Sequence, residues 1–297
     1  MSGSLCASVK TARRDCCEAA LWKGSFRMEA AGGFSESRMK HLSSPEGRRA
    51  LRNLSVARTL FAFDFDGTLA PIVPRPNAAR AAIGVQRRLA QLARSALVAV
   101  ISGRGLADLR ERIPAEVRYC IGNHGSEGMV EAADADAMRQ ICGAWVSQLR
   151  GYLADLDNRS GIIIEDKGLT LSVHYRLAPD RALAAQRLNE LVARLVPEPR
   201  VIGGKLVLNL LPPNARTKFE ALVDLVQREE AERVLFVGDD QTDELVFEQA
   251  PPHWTTVRVE PDVTSQATFY IDRQSDVSLL LDRLLRLLRK AGTVRHQ

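Results

Sequence analysis

Leu60-Phe61-Ala62-Phe63-Asp64-Phe65-Asp66-Gly67-Thr68-Leu69 decides the fold. Leu60 to Phe65 is a short, mostly apolar run, and Asp66-Gly67 ends it. Such a run, bounded by turn residues, reads as a strand buried on both faces. Strands of that kind belong to parallel sheets covered by helices. The pattern repeats outward. Leu97 to Ile101 runs into Ser102-Gly103, and Arg118 to Ile121 into Gly122-Asn123-His124-Gly125. Arg233 to Val237 runs into Gly238-Asp239-Asp240, and Thr256 to Val259 follows. Apolar residues at helical spacing predict helices over 78–95, 106–112, 217–230, 244–250 and 278–291. Alternating strands and helices predict an α/β fold, a Rossmann-like three-layer core around a parallel sheet.

The middle of the chain breaks that rhythm. Residues 135–156 carry a long helical pattern. Ile162 to Asp166 and Leu169 to Tyr175 predict a hairpin about Lys167-Gly168. A helix over 181–195 follows. Val201-Ile202 and Lys205 to Leu211 then predict a second hairpin about Gly203-Gly204. The order helix, hairpin, helix, hairpin indicates an α+β layer inserted into the α/β domain. The predicted boundaries are 56–130 and 212–297 for the core and 131–211 for the insertion. Residues 1–55 are read as a disordered tail, with a short helix from Pro45 to Asn53.

That tail explains the charge. Residues 1–55 hold ten Lys/Arg and five Asp/Glu, which accounts for the whole net charge of +5. The body is neutral, so no basic face for nucleic acid is implied. No apolar run reaches the ~18 residues that a membrane helix needs. Five cysteines (Cys6, Cys16, Cys17, Cys120, Cys142) have neither metal-type spacing nor an even number, which predicts a reduced, cytoplasmic protein. A monomer with no membrane partner is expected.

Strands of a parallel sheet present their ligand-binding ends along one edge. The ends here carry Asp64 and Asp66, then Ser102 and Arg104, then Asn123 and His124, then Asp239, Asp240 and Asp243. Alone, Asp-Gly is a turn, and Asp239 to Asp243 is a helix cap. Together they gather several carboxylates near one point, where they repel unless a cation intervenes. An oxygen-rich site of this kind suits Mg²⁺ together with a phosphate. One carboxylate could attack phosphorus, and a second, two residues on, could protonate the leaving oxygen.

These motifs resemble those of the haloacid dehalogenase-like phosphohydrolases. Asp64-x-Asp66-Gly67-Thr68, Ser102, Lys218 and Gly238-Asp239-Asp240-x-Thr242-Asp243-Glu244 match their four motifs in turn. Asn123-His124-Gly125, Glu165-Asp166-Lys167-Gly168 and His174-Tyr175-Arg176 narrow the resemblance to the trehalose-6-phosphate phosphatase family, over about residues 58–290. The resemblance implies that Asp64 is the nucleophile and Asp66 the acid/base, with Ser102 and Lys218 holding the phosphoryl group. Mg²⁺ would be held by Asp64, Asp66, Asp239 and Asp243. The insertion would be a cap that turns Glu165, Lys167, His174 and Arg176 to the sugar. Arg104, Asn123, His124 and Asn209 complete the implied substrate contacts. Three positions depart from the family, one of them Phe219, which follows Lys218 where the family has Gly. The family's second cap hairpin reads apolar-Glu-apolar-Arg-Pro, whereas here Asn209 replaces the acid and Leu211 the Arg. The two cap departures leave another sugar phosphate open, such as a glucosylglycerol or sucrose phosphate. A phosphomutase and a non-catalytic sensor are the remaining alternatives, although a sensor would be expected to lack one of Asp64, Asp66 and Asp239.

Overall fold

The computed structural model describes residues 39–54, 58–128, 132–153, 161–204 and 206–295. The chain opens with β1 (Lys40–His41), α1 (Pro45–Leu54), β2 (Thr59–Phe63), α2 (Ile83–Ser95), β3 (Leu97–Ile101), α3 (Leu106–Arg110) and β4 (Tyr119–Ile121). It continues with α4 (Ala132–Leu153), β5 (Ile163–Asp166), β6 (Leu171–His174), α5 (Arg181–Val192), β7 (Arg200–Gly204) and β8 (Val207–Leu211). It closes with α6 (Lys218–Arg228), β9 (Arg233–Gly238), α7 (Gln241–Gln249), β10 (Thr255–Val259), β11 (Phe269–Ile271) and α8 (Val277–Arg295).

Seven strands form one sheet in the order β1-β11-β10-β9-β2-β3-β4, with every neighbouring pair parallel. Alternation along each strand sends side chains to two different layers. Phe61, Phe63, Val98, Val100, Leu235 and Val237 pack against Leu51 and Leu54 of α1, Leu89 and Leu92 of α2, and Leu281 and Leu284 of α8. Leu60, Ala62, Ile101, Val234 and Phe236 pack on the other side against Leu222 and Leu225 of α6 and Val246 and Phe247 of α7. Both faces are therefore covered, which is why these strands read as continuous apolar runs. The chain runs outward from β2 to β3 and β4 in one direction, and from β9 to β10 and β11 in the other. The reversal falls between β2 and β9, where open α/β sheets bind ligands.

The second sheet has four antiparallel strands in the order β5-β6-β8-β7. Leu171, Val173, Leu208 and Leu210 turn one way, onto Cys142, Trp145 and Leu149 of α4 and Leu188 and Val192 of α5. The opposite face carries the registered row Glu165, Ser172, Asn209 and Ile202. This face is the polar one, and it meets the core.

Several elements differ from their sequence reading. The short helix expected from Pro45 to Asn53 is α1, but the segment is no free tail: 40–54 form β1 and α1, with Leu51 and Leu54 fully buried. The rest of the predicted tail, residues 1–38, lies outside the described residues. The helix expected from residue 78 starts at Ile83, because the carbonyls of Asn77 and Ala79 accept instead from the Arg112 guanidinium at 3.1 and 2.9 Å. Gly203 and Gly204 are not the second hairpin's turn. They pair with Leu208 and Val207 inside β7 and β8, and the turn passes through Leu206 at φ +63°. The two glycines serve close approach: a Cβ on Gly203 would lie 2.6 Å from Gln241 Oε1 of α7. Among the described residues, no helix is long and apolar enough to cross a membrane.

Candidate active site

Asp64 follows β2 directly, and its N–H donates to Val237 O of β9 at 2.9 Å. That bond fixes Asp64 at the switch between the two halves of the sheet. Its carboxylate is buried, at 4% exposure. Lys218 Nζ donates to Asp64 Oδ1 and to Asp243 Oδ1, both at 2.7 Å. Lys218 is aimed by its place at the start of α6. Thr217 caps that helix, and Glu220 closes the reciprocal box at 2.7 Å. Asp243, in the first turn of α7, accepts the N–H groups of Asp239 and Asp240 at 2.9 and 3.1 Å. Asp239 accepts from Thr68 Oγ1 at 3.2 Å.

One oxygen from each of Asp64, Asp239 and Asp243 lies within 4.8 Å of the others. Burial pushes the Asp64 carboxyl well above the usual carboxylate range; Lys218 opposes this, while Asp243 and Asp239 add to it. Burial, then Asp243 and Asp240, push Asp239 up to about 8. Burial opposes the Lys218 charge, yet Asp243 and Asp64 overcome it and raise its pKa. A single lysine thus faces three carboxylates, and a cation among them would relieve the repulsion. Gly67 makes the crowding possible. It sits at φ +84°, and a Cβ there would lie 2.0 Å from Asp239 Oδ2.

Asp66 is gripped by Arg104 through two bonds, Nε to Oδ2 at 2.6 Å and Nη2 to Oδ1 at 2.7 Å. Arg104 also holds Asp108 at 2.8 Å. Arg112 binds Asp108 in turn, so a chain of ion pairs leads away from the site. Ser102, buried after β3, accepts from Arg104 N at 3.3 Å and shapes the same loop.

Asn123 and His124 follow β4 in left-handed conformations, at φ +48° and +58°. Both are buried. The Asn123 side chain is engaged throughout: Nδ2 donates to Glu127 Oε2 at 2.8 Å and to Lys167 O at 3.1 Å, while Oδ1 accepts from Thr170 Oγ1 at 2.9 Å. The His124 ring lies under Gly103, where a Cβ would be 2.5 Å from its Cε1. Neither ring nitrogen has a hydrogen-bond partner among the described residues. Burial, then Lys167 and Lys218, hold its pKa well below the usual imidazole value, so the ring is neutral.

From the inserted layer, Lys167 Nζ reaches down to Gly103 O at 3.0 Å. Glu165 pairs with His174 at 2.8 Å, and that bond holds the Glu165 carboxyl below its usual range. Asn209 is buried, and its Oδ1 accepts from Ser172 Oγ at 2.7 Å. Leu211 is fully buried in an apolar cluster with Met138, Leu169 and Ala215. Arg176 is exposed in the turn after β6. The fold thus gathers Asp64, Asp66, Ser102, Arg104, Asn123, His124, Lys167, Lys218, Asp239 and Asp243 around one strand edge, and leaves Arg176 on the surface. Sequence reading missed Thr68, Asp108, Glu127, Thr170 and Ser172 as partners. Only Asp108 left a signal, an acid four residues beyond Arg104.

Comparison with known proteins gives this geometry a setting. The model of the trehalose-phosphatase family matches residues 62–275. The trehalose-phosphate phosphatase of Mycobacterium tuberculosis is 32% identical over 266 residues, covering 82% of this chain and 66% of that relative. The chain therefore spans just under two thirds of that relative's length. The C-terminal domain of C. albicans trehalose-6-phosphate phosphatase has the same fold, with a TM-score of 0.65 at 24% identity over 85% of this chain and 99% of that one. Aspergillus fumigatus trehalose-6-phosphate phosphatase gives a TM-score of 0.58 at 27% identity over 84% and 99%. With the family model covering well over half of its length, the chain belongs to the trehalose-phosphatase family.

Proposed function

We propose that this chain is a Mg²⁺-dependent phosphatase that hydrolyses trehalose 6-phosphate to trehalose and phosphate. The observation that carries the chemistry is Asp64, buried at the β2/β9 switch with Lys218 on one side and Asp239 and Asp243 within reach of one cation. Family membership supports the substrate.

The donor set fits Mg²⁺, being all oxygen and more negative than Lys218 alone can balance. Asp64, Asp239 and the Asp66 carbonyl would hold the ion, with Asp243 in support. When bound, it would offset charge between carboxylate and phosphate. The chain's own residues perform the steps. An Asp64 oxygen attacks phosphorus while the bond from phosphorus to the sugar oxygen breaks. Asp66 gives its proton to that leaving oxygen. As a carboxylate, Asp66 next takes a proton from water, and the water oxygen attacks phosphorus. The bond from phosphorus to Asp64 breaks, releasing phosphate and restoring the nucleophile. Lys218 has three N–H donors and uses two on Asp64 and Asp243, which leaves one for a phosphoryl oxygen. The polar face of the inserted sheet acts as a cap, with Glu165, Lys167 and His174 turned to the sugar.

Asn209 and Leu211 favour a second reading, another sugar phosphate. Asn209 offers an amide already bonded to Ser172, and Leu211 offers no polar group. A panel of sugar phosphates assayed with Mg²⁺ decides. Trehalose 6-phosphate should give the highest kcat/KM, and a preference of about tenfold or more for another ester, roughly 1.4 kcal/mol of differential transition-state binding, would overturn the assignment. A monomeric, cytoplasmic enzyme with no nucleic-acid partner belongs to the same reading, and the neutral charge of the body supports the last point.

A further inference from the structure

Asn123 stands out because both polar atoms of its side chain are bonded within the protein. An amide has two N–H donors and one carbonyl acceptor. Here the donors go to Glu127 Oε2 and Lys167 O, and the acceptor takes the Thr170 hydroxyl. Two of those three partners, Lys167 and Thr170, belong to the β5–β6 hairpin of the inserted layer. The third ties it to the core: Glu127 Oε2 also accepts from Leu106 N, at the start of α3, at 2.6 Å. The Asn123 backbone adds a further link, its N–H donating to Arg104 O at 2.8 Å. The hairpin touches the same loop directly, through Lys167 Nζ on Gly103 O. Hairpin, Asn123 and the Ser102-Gly103-Arg104 loop are therefore bonded pairwise, and Arg104 grips both oxygens of Asp66.

We propose that Asn123 is a latch between cap and core, a positioning residue that couples closure of the β5–β6 hairpin to the placement of Asp66 through Arg104. It is not a substrate contact, since each polar atom of its side chain is bonded within the protein and none of it is exposed. The proposal rests on the phosphatase reading for its consequence in turnover, and on geometry alone for the latch itself. When the hairpin docks, its backbone carbonyl and hydroxyl complete the Asn123 amide. That fixes the Arg104 loop and with it the carboxyl that must deliver a proton. When the hairpin lifts, the amide loses two of its three partners, and the loop beneath is released.

The test compares the full-length wild type with Asn123→Gly and Thr170→Val. Glycine accepts the left-handed backbone at position 123, so the first variant removes the side chain without forcing the turn. The second removes only the hydroxyl that bonds Oδ1. Two esters are assayed with Mg²⁺: the best sugar ester of the panel, whose alkoxide needs a proton to depart, and p-nitrophenyl phosphate, whose phenolate leaves without one. General acid catalysis contributes roughly 10²–10⁴, so Asn123→Gly should lower kcat on the sugar ester by about tenfold or more and leave the aryl ester within about twofold. Thr170→Val should move the same way by a smaller factor. A parallel fall on both esters, no fall on either, or a raised KM with unchanged kcat would each overturn the latch. Trypsin gives a readout free of turnover. Cleavage after Lys167 should quicken about tenfold in Asn123→Gly as the docked hairpin opens more often, and unchanged cleavage overturns the proposal. A wild type inert towards both esters would refute the phosphatase reading, and the trypsin comparison would then decide the latch alone.

Discussion

Asp64 is charged chemistry held where burial opposes charge. Its motif was legible because an apolar strand running into Asp-Phe-Asp-Gly leaves its carboxylates at a sheet edge. Its partners Lys218 and Asp243 were named only through the family resemblance, because the bonds they make span 154 and 25 positions and no local spacing reveals them. Asn123 shows the same limit from the other side. The family resemblance implied a substrate contact there, whereas its side-chain hydrogen bonds are all internal. Asp64→Asn separates chemistry from stability. The amide cannot form an aspartyl phosphate, so turnover should fall by about a thousandfold or more. The fold should not weaken. A carboxyl whose native pKa is raised is destabilising once it ionises, so removing it should hold or raise the melting temperature of the Mg²⁺-free protein above neutral pH. Steady-state kinetics and thermal melts check both halves. Retained turnover would remove Asp64 from the nucleophile's role, and a clear drop in melting temperature would contradict the electrostatic account.

The elements best read from sequence were β2, β3 and β9, five or six residues long, buried on both faces and ended by Gly, Asp or Ser. β1 and β11 were invisible because two or three residues show no period, and their pairing partners are remote. Gly203-Gly204 misled because glycine marks turns and close approaches alike. The contact with Gln241 that distinguishes them exists only in the folded chain. Caps lie between these extremes. Thr217-Lys218-Phe219-Glu220 is a capping box in plain sequence, and it sets the first residue of α6, which is Lys218. Thr217→Ala should cost about 1 kcal/mol of stability, within the usual range of roughly 0.5–2 for a lost N-cap. It should also lower kcat more than it raises KM, because a frayed first turn loosens Lys218 from Asp64. Denaturant unfolding and Michaelis–Menten constants measure the two effects. A variant as stable and active as wild type would mean that the bonds of Lys218 itself, and not the helix start, hold it in place.

At the scale of the molecule, two pieces of chain separated by the insertion supply one site. Asp64 comes from the first piece and Asp239, Asp243 and Lys218 from the second, so folding itself concentrates negative charge at the β2/β9 seam. That makes stability depend on pH and on a divalent cation together. Without the ion, burial and its acidic neighbours push the Asp239 carboxyl up to about 8, while in the unfolded chain it ionises near the ordinary aspartate value of 3.8. Because the folded-state pKa is raised, the folded state binds the extra proton between those values, so stability falls as pH rises. His124 acts in the opposite sense below its ordinary value of 6.5, where an unfolded imidazole charges and the buried one resists; measurements above about pH 7 avoid it. A divalent ion needs ionised carboxylates and releases protons on binding, so its stabilisation should grow with pH. The metal-free protein should therefore melt lower at about pH 8 than at about pH 7. The gain on adding Mg²⁺, ~2.7 kcal/mol at about a hundred times its Kd, should be larger at the higher pH. Asp239→Asn should flatten the pH dependence and shrink the Mg²⁺ gain. Calorimetric melts at the two pH values, with and without Mg²⁺, measure this directly. Equal gains at both would mean that the ion binds without displacing a proton, and that Asp239 is already ionised before it arrives.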